Sequence, residues 1–298
     1  MSRRVVYGWS LFFAAAVALM AGGIWWALGL ATVSVLAGNE FIGLVQAKGI
    51  RPSPRIIRAM IIAFVAVGTL PQVPGLHVTW DPLFAFPLVV VVGVCASFFR
   101  LLFRDLDPPA TISDIATTIL GFLYCGFMPS HLALLRNLID PGVSLPANPL
   151  YQPGVAYVWV TLFIIFATDV FAYYGGKAFG KHLLYPTISP KKTIEGAICG
   201  LLAAVFWSTV VVYVADHYIF QPPPFHLHIW QAPLMGLFAS IGCQLGDLCE
   251  SLLKRDAGVK DSGNLIPGHG GFLDRGDGLI FAGAICYYWI RMFMLHLL

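Results

Sequence analysis

The chain has 298 residues, of which 58% are hydrophobic and only 11% charged, with a net charge of +3. Water-soluble domains are about 45–50% apolar and roughly a quarter charged, so this balance excludes an ordinary soluble enzyme and predicts an all-α polytopic integral membrane protein whose solvent is the lipid bilayer. No concentrated basic face accompanies the small net charge, so nucleic acid is not an expected partner. The six cysteines (Cys95, Cys125, Cys199, Cys243, Cys249 and Cys286) lie scattered, mostly within apolar sequence and without a Cys-x-x-Cys pair, and read as packing residues.

Nine apolar blocks can be drawn, over residues 5–21, 23–46, 56–72, 83–103, 112–138, 155–178, 194–216, 231–253 and 278–297. The first follows Arg3 and Arg4, runs beyond the apolar core of a signal peptide, lacks a persuasive cleavage site, and is read as a retained span. Its separation from the second rests on Gly22 and Gly23, where one long tilted helix is the alternative. Lys48, Arg51, Arg55 and Arg58 follow the second block, Arg100 and Arg104 the fourth, Lys177, Lys181, Lys191 and Lys192 the sixth, and Lys254, Arg255 and Lys260 the eighth. The connections at 73–81, 139–154 and 217–230 hold no Lys or Arg. Positive residues mark the cytoplasmic side, so nine spans with a cytoplasmic N-terminus satisfy the pattern. The lack of a transit-like segment points to a bacterial plasma membrane. The expected organisation is a single membrane domain over 1–298, with 1–154 as scaffold and 155–298 carrying the chemistry.

Three polar stretches stand out. In the sixth block, Asp169, Tyr173 and Lys177 fall at four-residue steps on one helix face, beside glycines that permit close approach of another backbone. The sequence then reads Ser189-Pro-Lys-Lys-Thr193, where Ser189 and Pro190 suggest an N-cap and first turn for the seventh helix. Lys191 and Lys192 there fit either phosphate binding or simple positive-inside anchoring. In the eighth block, Ser240, Gln244, Asp247, Ser251 and Lys254 form a polar stripe with Glu250 beside it. An ionisable residue in a span needs a partner or a wet cavity, so Asp247 is either paired with a Lys or Arg or is a functional carboxylate.

The third stretch runs from Ser251 to Asp277 and gathers Lys254, Arg255, Lys260, Asp261, Asp274, Arg275 and Asp277 around Gly268-His269-Gly270-Gly271. A glycine-rich turn can bring N–H groups to a phosphate, and paired carboxylates completed by substrate phosphates are a common way to hold magnesium. No P-loop signature occurs. His226 and His228 suggest a structural or interfacial role, and Asp105, Asp107 and Asp114 a solvated connection and a helix start.

These residues resemble the signature of the phosphatidate cytidylyltransferases: Ser251-x-x-Lys254-Arg255, Lys260-Asp261-x-Gly263, then Pro267-x-His269-Gly270-Gly271-x-x-Asp274-Arg275-x-Asp277. Gly246-Asp247-x-x-Glu250, Ser189-Pro-Lys-Lys-Thr193, Glu195-Gly196 and Asp169 with Ala172-Tyr173 are similar to the family too, so the likeness spans about residues 165–280. It departs at Gly276 and Gly278, where the family usually has an apolar residue and a serine. Two glycines there loosen the start of the last helix by up to about 1 kcal/mol each.

The resemblance implies transfer of CMP from CTP to phosphatidic acid, giving CDP-diacylglycerol and pyrophosphate. It implies Asp247, Asp274 and Asp277 as ligands of magnesium and of a second cation, with Lys254, Arg255, Lys260, Asp261 and His269 as catalytic residues. Asp169, Tyr173, Ser189, Lys191, Lys192, Ser251, Gly270, Gly271 and Arg275 would bind substrate, and the family allows a homodimer. The alternatives are a CTP-dependent polyprenol or phytol kinase and, in a different class, an ion-coupled transporter using Asp169 and Asp247.

Overall fold

The computed structural model describes residues 3–73, 75–76, 80–103, 109–139, 149–220, 223–225, 230–265 and 270–294. The helices are α1 (Arg3–Ala21), α2 (Gly23–Ala47), α3 (Pro54–Thr69), α4 (Pro82–Leu102), α5 (Ile112–Phe122), α6 (Met128–Arg136), α7 (Pro153–Phe179), α8 (Ile194–Val214), α9 (Gln231–Asp256) and α10 (Leu273–Trp289). A π turn over Leu123–Phe127 joins α5 to α6 without a break, so each of the nine apolar blocks becomes one helical run. Among the described residues, six of these runs are long and apolar enough to cross a membrane. Of the other three, α3 has 16 residues and α10 opens on Leu-Asp-Arg-Gly-Asp, while α1 spans the 19 residues Arg3–Ala21. The molecule is an all-α polytopic membrane protein. Gly22 and Gly23, at φ 63° and 48°, break the chain between α1 and α2, a backbone region costly for other residues, so the single long helix is not formed.

Two compact units make up the chain, Met1–Ala133 with Leu253–Gly276, and Leu134–Leu252 with Asp277–Leu298. The first is built on α3, which follows Ser53 with proline at its first position and buries Ile57, Ile61 and Phe64 completely. Phe64 stacks at 5.8 Å from Phe86 and 6.2 Å from Phe122, in the offset geometries that aromatic quadrupoles favour. A Cβ at Gly126 would lie 3.0 Å from the Ile61 backbone, so glycine is what lets the π turn rest on α3. Helix α5 starts with a capping box between Thr111 and Asp114, and Asp114 also accepts from the Arg51 N–H at 2.6 Å. That places Asp114 at a helix start, as its sequence suggests. Along α4, Phe84, Leu88, Val91 and Phe99 remain exposed, which water would penalise and lipid does not.

In the second unit α7 and α8 pack closely and are joined by a β-hairpin. Its strands β1 (Leu183–Tyr185) and β2 (Ser189–Thr193) pair antiparallel, with Leu183 opposite Thr193 and Tyr185 opposite Ser189. A Cβ at Gly200 would meet the Thr168 carbonyl at 2.7 Å, and one at Gly196 the Ala172 carbonyl at 2.6 Å, so small residues set the helix separation. The hairpin corrects one expectation. Ser189 does not cap α8; it begins β2, and Thr193 is the cap, accepting from the Gly196 N–H at 3.1 Å. Lys191 and Lys192 therefore lie on a strand before the helix rather than in its first turn. Glu195 ties the hairpin down, accepting from the N–H groups of Lys181 and His182 at 3.0 and 3.2 Å, with His182 Nδ1 2.6 Å from its other oxygen.

Candidate active site

Within the first unit, Ser262 and the residues 271–273 after α9 gather around two carboxylates. Asp274, in the first turn of α10, accepts from Lys254 Nζ at 2.7 Å through Oδ1. Its Oδ2 lies 3.0 Å from both the N–H and the hydroxyl of Ser262, and accepts from the Gly271 N–H at 2.8 Å. A carboxylate at a helix N-terminus also opposes the positive end of the helix dipole. The Lys254–Asp274 pair is nearly closed to solvent, at 12% and 9% side-chain exposure.

The second carboxylate is Glu40 of α2, a residue that the motif reading passed over. Its Oε1 accepts from the Phe272 N–H at 3.0 Å, and its Oε2 from the Leu273 N–H at 2.8 Å and the Ser262 hydroxyl at 2.9 Å. Hydrogen bonds to charged groups contribute about 1.5–3 kcal/mol each, which offsets the cost of an ionised side chain in an apolar helix. A Cβ on Gly263 would stand 2.7 Å from Glu40 Oε1, and one on Gly271 would overlap Glu40 Oε2. The glycines of the motif thus have a local cause: they leave room for Glu40. An available signal was Asn39-Glu40 inside an otherwise apolar span, which principle alone marks as a paired or functional position.

The second unit holds a cavity of about 540 Å³, within the range of small-molecule sites. Asp169, Tyr173 and Lys177 of α7, Ser189, Lys191 and Lys192 of β2, and Gln244 and Asp247 of α9 line it. Lys192 Nζ lies 2.5 Å from Asp247 Oδ2, and this pair is 28% and 37% exposed. Ser251 Oγ is 3.5 Å from Asp247 Oδ1, and Gln244 donates to the Ala197 carbonyl at 3.2 Å. Cys243 Sγ sits 3.7 Å from Asp169 Oδ1. Gly278 donates its N–H to Asp277 Oδ1 at 2.8 Å, and a Cβ there would be 2.6 Å from Cys243 Sγ, whereas Gly276 faces nothing within 4 Å. The two glycines that depart from the family pattern are therefore different in kind.

The structure thus brings six of the sequence candidates to one cavity (Asp169, Tyr173, Ser189, Lys191, Lys192 and Asp247) and joins Lys254, Gly271 and Asp274 in the loop cluster. Gly270, at φ 80°, turns the chain toward Asp274. Arg255, Lys260, Asp261 and Arg275 are exposed, with Arg255 donating to the Val259 carbonyl at 3.2 Å. His269, His226, His228, Asp105 and Asp107 lie outside the described residues. Among the described residues, no three of His, Cys, Asp and Glu gather to hold a metal by themselves. The available donors are hard carboxylate oxygens already facing ammonium groups, which suits a cation whose shell is completed by phosphates.

A model of the cytidylyltransferase family matches residues 2–293. The chain is 35% identical over 290 residues to a phosphatidate cytidylyltransferase of Synechocystis, covering 93% of this chain and 92% of that one. It is 33% identical to phosphatidate cytidylyltransferase 4, chloroplastic, of Arabidopsis thaliana, over 98% of this chain and 73% of the relative. A phosphatidate cytidylyltransferase of Bacillus subtilis is 37% identical over 61% of each chain.

Proposed function

Because the chain belongs to the cytidylyltransferase family and, like its relatives, uses CTP to make CDP-diacylglycerol from phosphatidic acid, we propose a division of labour between its two polar clusters. In the reaction a phosphate oxygen of phosphatidic acid bonds to the α-phosphorus of CTP, and the bond from that phosphorus to the β-phosphate oxygen breaks, releasing pyrophosphate. The attacking oxygen is already anionic, so no serine or cysteine nucleophile is needed. The protein must align two polyanions and offset their charge, a task of positioning and electrostatics.

The observation that carries this reading is the cavity lined by Lys177, Lys191 and Lys192 together with Asp169 and Asp247. Its lysines hold phosphate oxygens, and Tyr173 and Ser189 add hydroxyl donors. Lys254, Arg255 and Lys260 serve the triphosphate, Asp261, Arg275 and His269 are assigned to the same step by family resemblance, and the Gly270–Gly271 turn borders the nucleotide; Ser251 keeps Asp247 oriented. Asp247, Asp277 and Asp274 are the carboxylates that would hold magnesium and a second cation. When bound, the ions neutralise phosphate charge.

Lys and Arg in alternate connections support a site facing the cytoplasm, and a bacterial plasma membrane is the setting we infer. A homodimer is proposed on family resemblance, and light scattering in detergent would test it. The functional test uses purified protein in detergent with phosphatidic acid, CTP labelled at the α-phosphate, and magnesium. Label entering a chloroform-soluble lipid, lost with EDTA, is the expected result. Label entering an alcohol only from γ-labelled CTP would replace this reading with a lipid kinase. Everted vesicles should use external CTP, and right-side-out vesicles should not.

A further inference from the structure

We propose that Glu40, in the helix α2 of the N-terminal half, is a positioning residue for cytidylyl transfer, acting through Ser262 on Asp274 and Lys254. The inference rests on the reading that the Lys254–Asp274 cluster serves the reaction. Three observations point the same way. Glu40 receives the N–H groups of two successive residues, Phe272 and Leu273, immediately before and at the start of α10. It shares the Ser262 hydroxyl with Asp274, since that oxygen lies 2.9 Å from Glu40 Oε2 and 3.0 Å from Asp274 Oδ2. And a side chain at Gly263 or Gly271 would displace it.

These contacts make a chain of fixed distances. Glu40 sets the backbone at 272–273, which sets the first turn of α10 and hence the Asp274 carboxylate. Ser262, held by both acids, fixes its own stretch of chain after α9 from the other side. Asp274 in turn fixes Lys254 Nζ at 2.7 Å. Glu40 thus touches no reacting atom in this account; it removes the freedom of groups that do. A misplacement of about 1 Å in a catalytic constellation can cost on the order of 100-fold in rate, and loss of supporting hydrogen bonds typically costs about 10–100-fold.

The test compares Glu40→Gln, Ser262→Ala, the double variant and Asp274→Asn in the full-length protein purified in detergent. Transfer from α-labelled CTP is scaled to the folded fraction from size-exclusion chromatography. Glu40→Gln places an amide N–H against backbone N–H groups, whereas Ser262→Ala removes only a hydroxyl, so the second variant tests the linkage without burdening folding. We expect kcat per folded molecule to fall about 10–100-fold in each single variant, with the KM for CTP changed less than about threefold. The double variant should be no slower than the worse single, because both cut one path. Hydrogen exchange should quicken at Phe272 and Leu273 in Glu40→Gln and not in α3. An unchanged kcat per folded molecule in Ser262→Ala, or losses that multiply in the double variant, would overturn the inference. Wild type active, Asp274→Asn inactive and Glu40→Gln fully active would sink Glu40 alone; Asp274→Asn as active as wild type would sink the underlying role of the cluster instead.

Discussion

Two lysine–aspartate pairs of similar length behave as different objects. Lys254 and Asp274 are 12% and 9% exposed, and Asp274 carries three further contacts from Ser262 and Gly271. Lys192 and Asp247 are 28% and 37% exposed, on the wall of a cavity of about 540 Å³. A nearly dry carboxylate must be satisfied by the protein or it destabilises the fold, whereas a half-wet one keeps capacity for a ligand. The first pair therefore belongs as much to folding as to chemistry. The second keeps its carboxylate partly open to the cavity, although Lys192 Nζ is itself buried, and in the proposed reaction it exchanges for phosphate or a cation.

That contrast can be broken most forcefully at Asp274. Asp274→Asn should cost about 3–5 kcal/mol, the usual loss when one member of a buried pair is removed, and abolish lipid labelling; denaturant unfolding in detergent measures the first, α-labelled CTP the second. Next comes Gly271→Ala, whose Cβ would overlap Glu40 and Ser262. It should destabilise by about 1–3 kcal/mol as an overpacked site, read by the same unfolding curve. At the open cavity, Lys191→Ala removes an exposed ammonium, and should raise the KM for CTP about tenfold with the unfolding midpoint unmoved, the loss expected for one charge-assisted contact. The smallest effect belongs to Gly276→Ala, which meets nothing within 4 Å and should leave activity intact while stabilising α10 by up to about 1 kcal/mol.

The helical blocks were legible because each is a long apolar run bounded by Pro, Gly or charge. The membrane count was less so: α3 has 16 residues and α10 begins with charges, so hydropathy alone left their standing open. The cavity residues were largely readable, since Asp169, Tyr173 and Asp247 lie on helix faces whose period is fixed. Ser189 misled because Ser-Pro suits a helix start, yet here the pairing of Leu183 with Thr193 claims the segment for a hairpin and passes the cap to Thr193. Glu40 was missed for a different reason. It stands 222 residues from Ser262 in sequence, and no local period or spacing connects α2 to a loop that far along the chain.

The most direct measurement is made on Asp247→Asn: label transferred from α-labelled CTP to phosphatidic acid, per folded molecule, beside the denaturant midpoint of the same sample. The Asp247 carboxylate is 37% exposed although Lys192 Nζ is buried, and a partly exposed pair contributes on the order of 1 kcal/mol, so the midpoint should fall far less than in Asp274→Asn while transfer falls about 100-fold or more. Full transfer with an unmoved midpoint would show that the cavity is not where the phosphates are handled. A midpoint that collapses as far as that of Asp274→Asn would show that the two pairs are not different in kind.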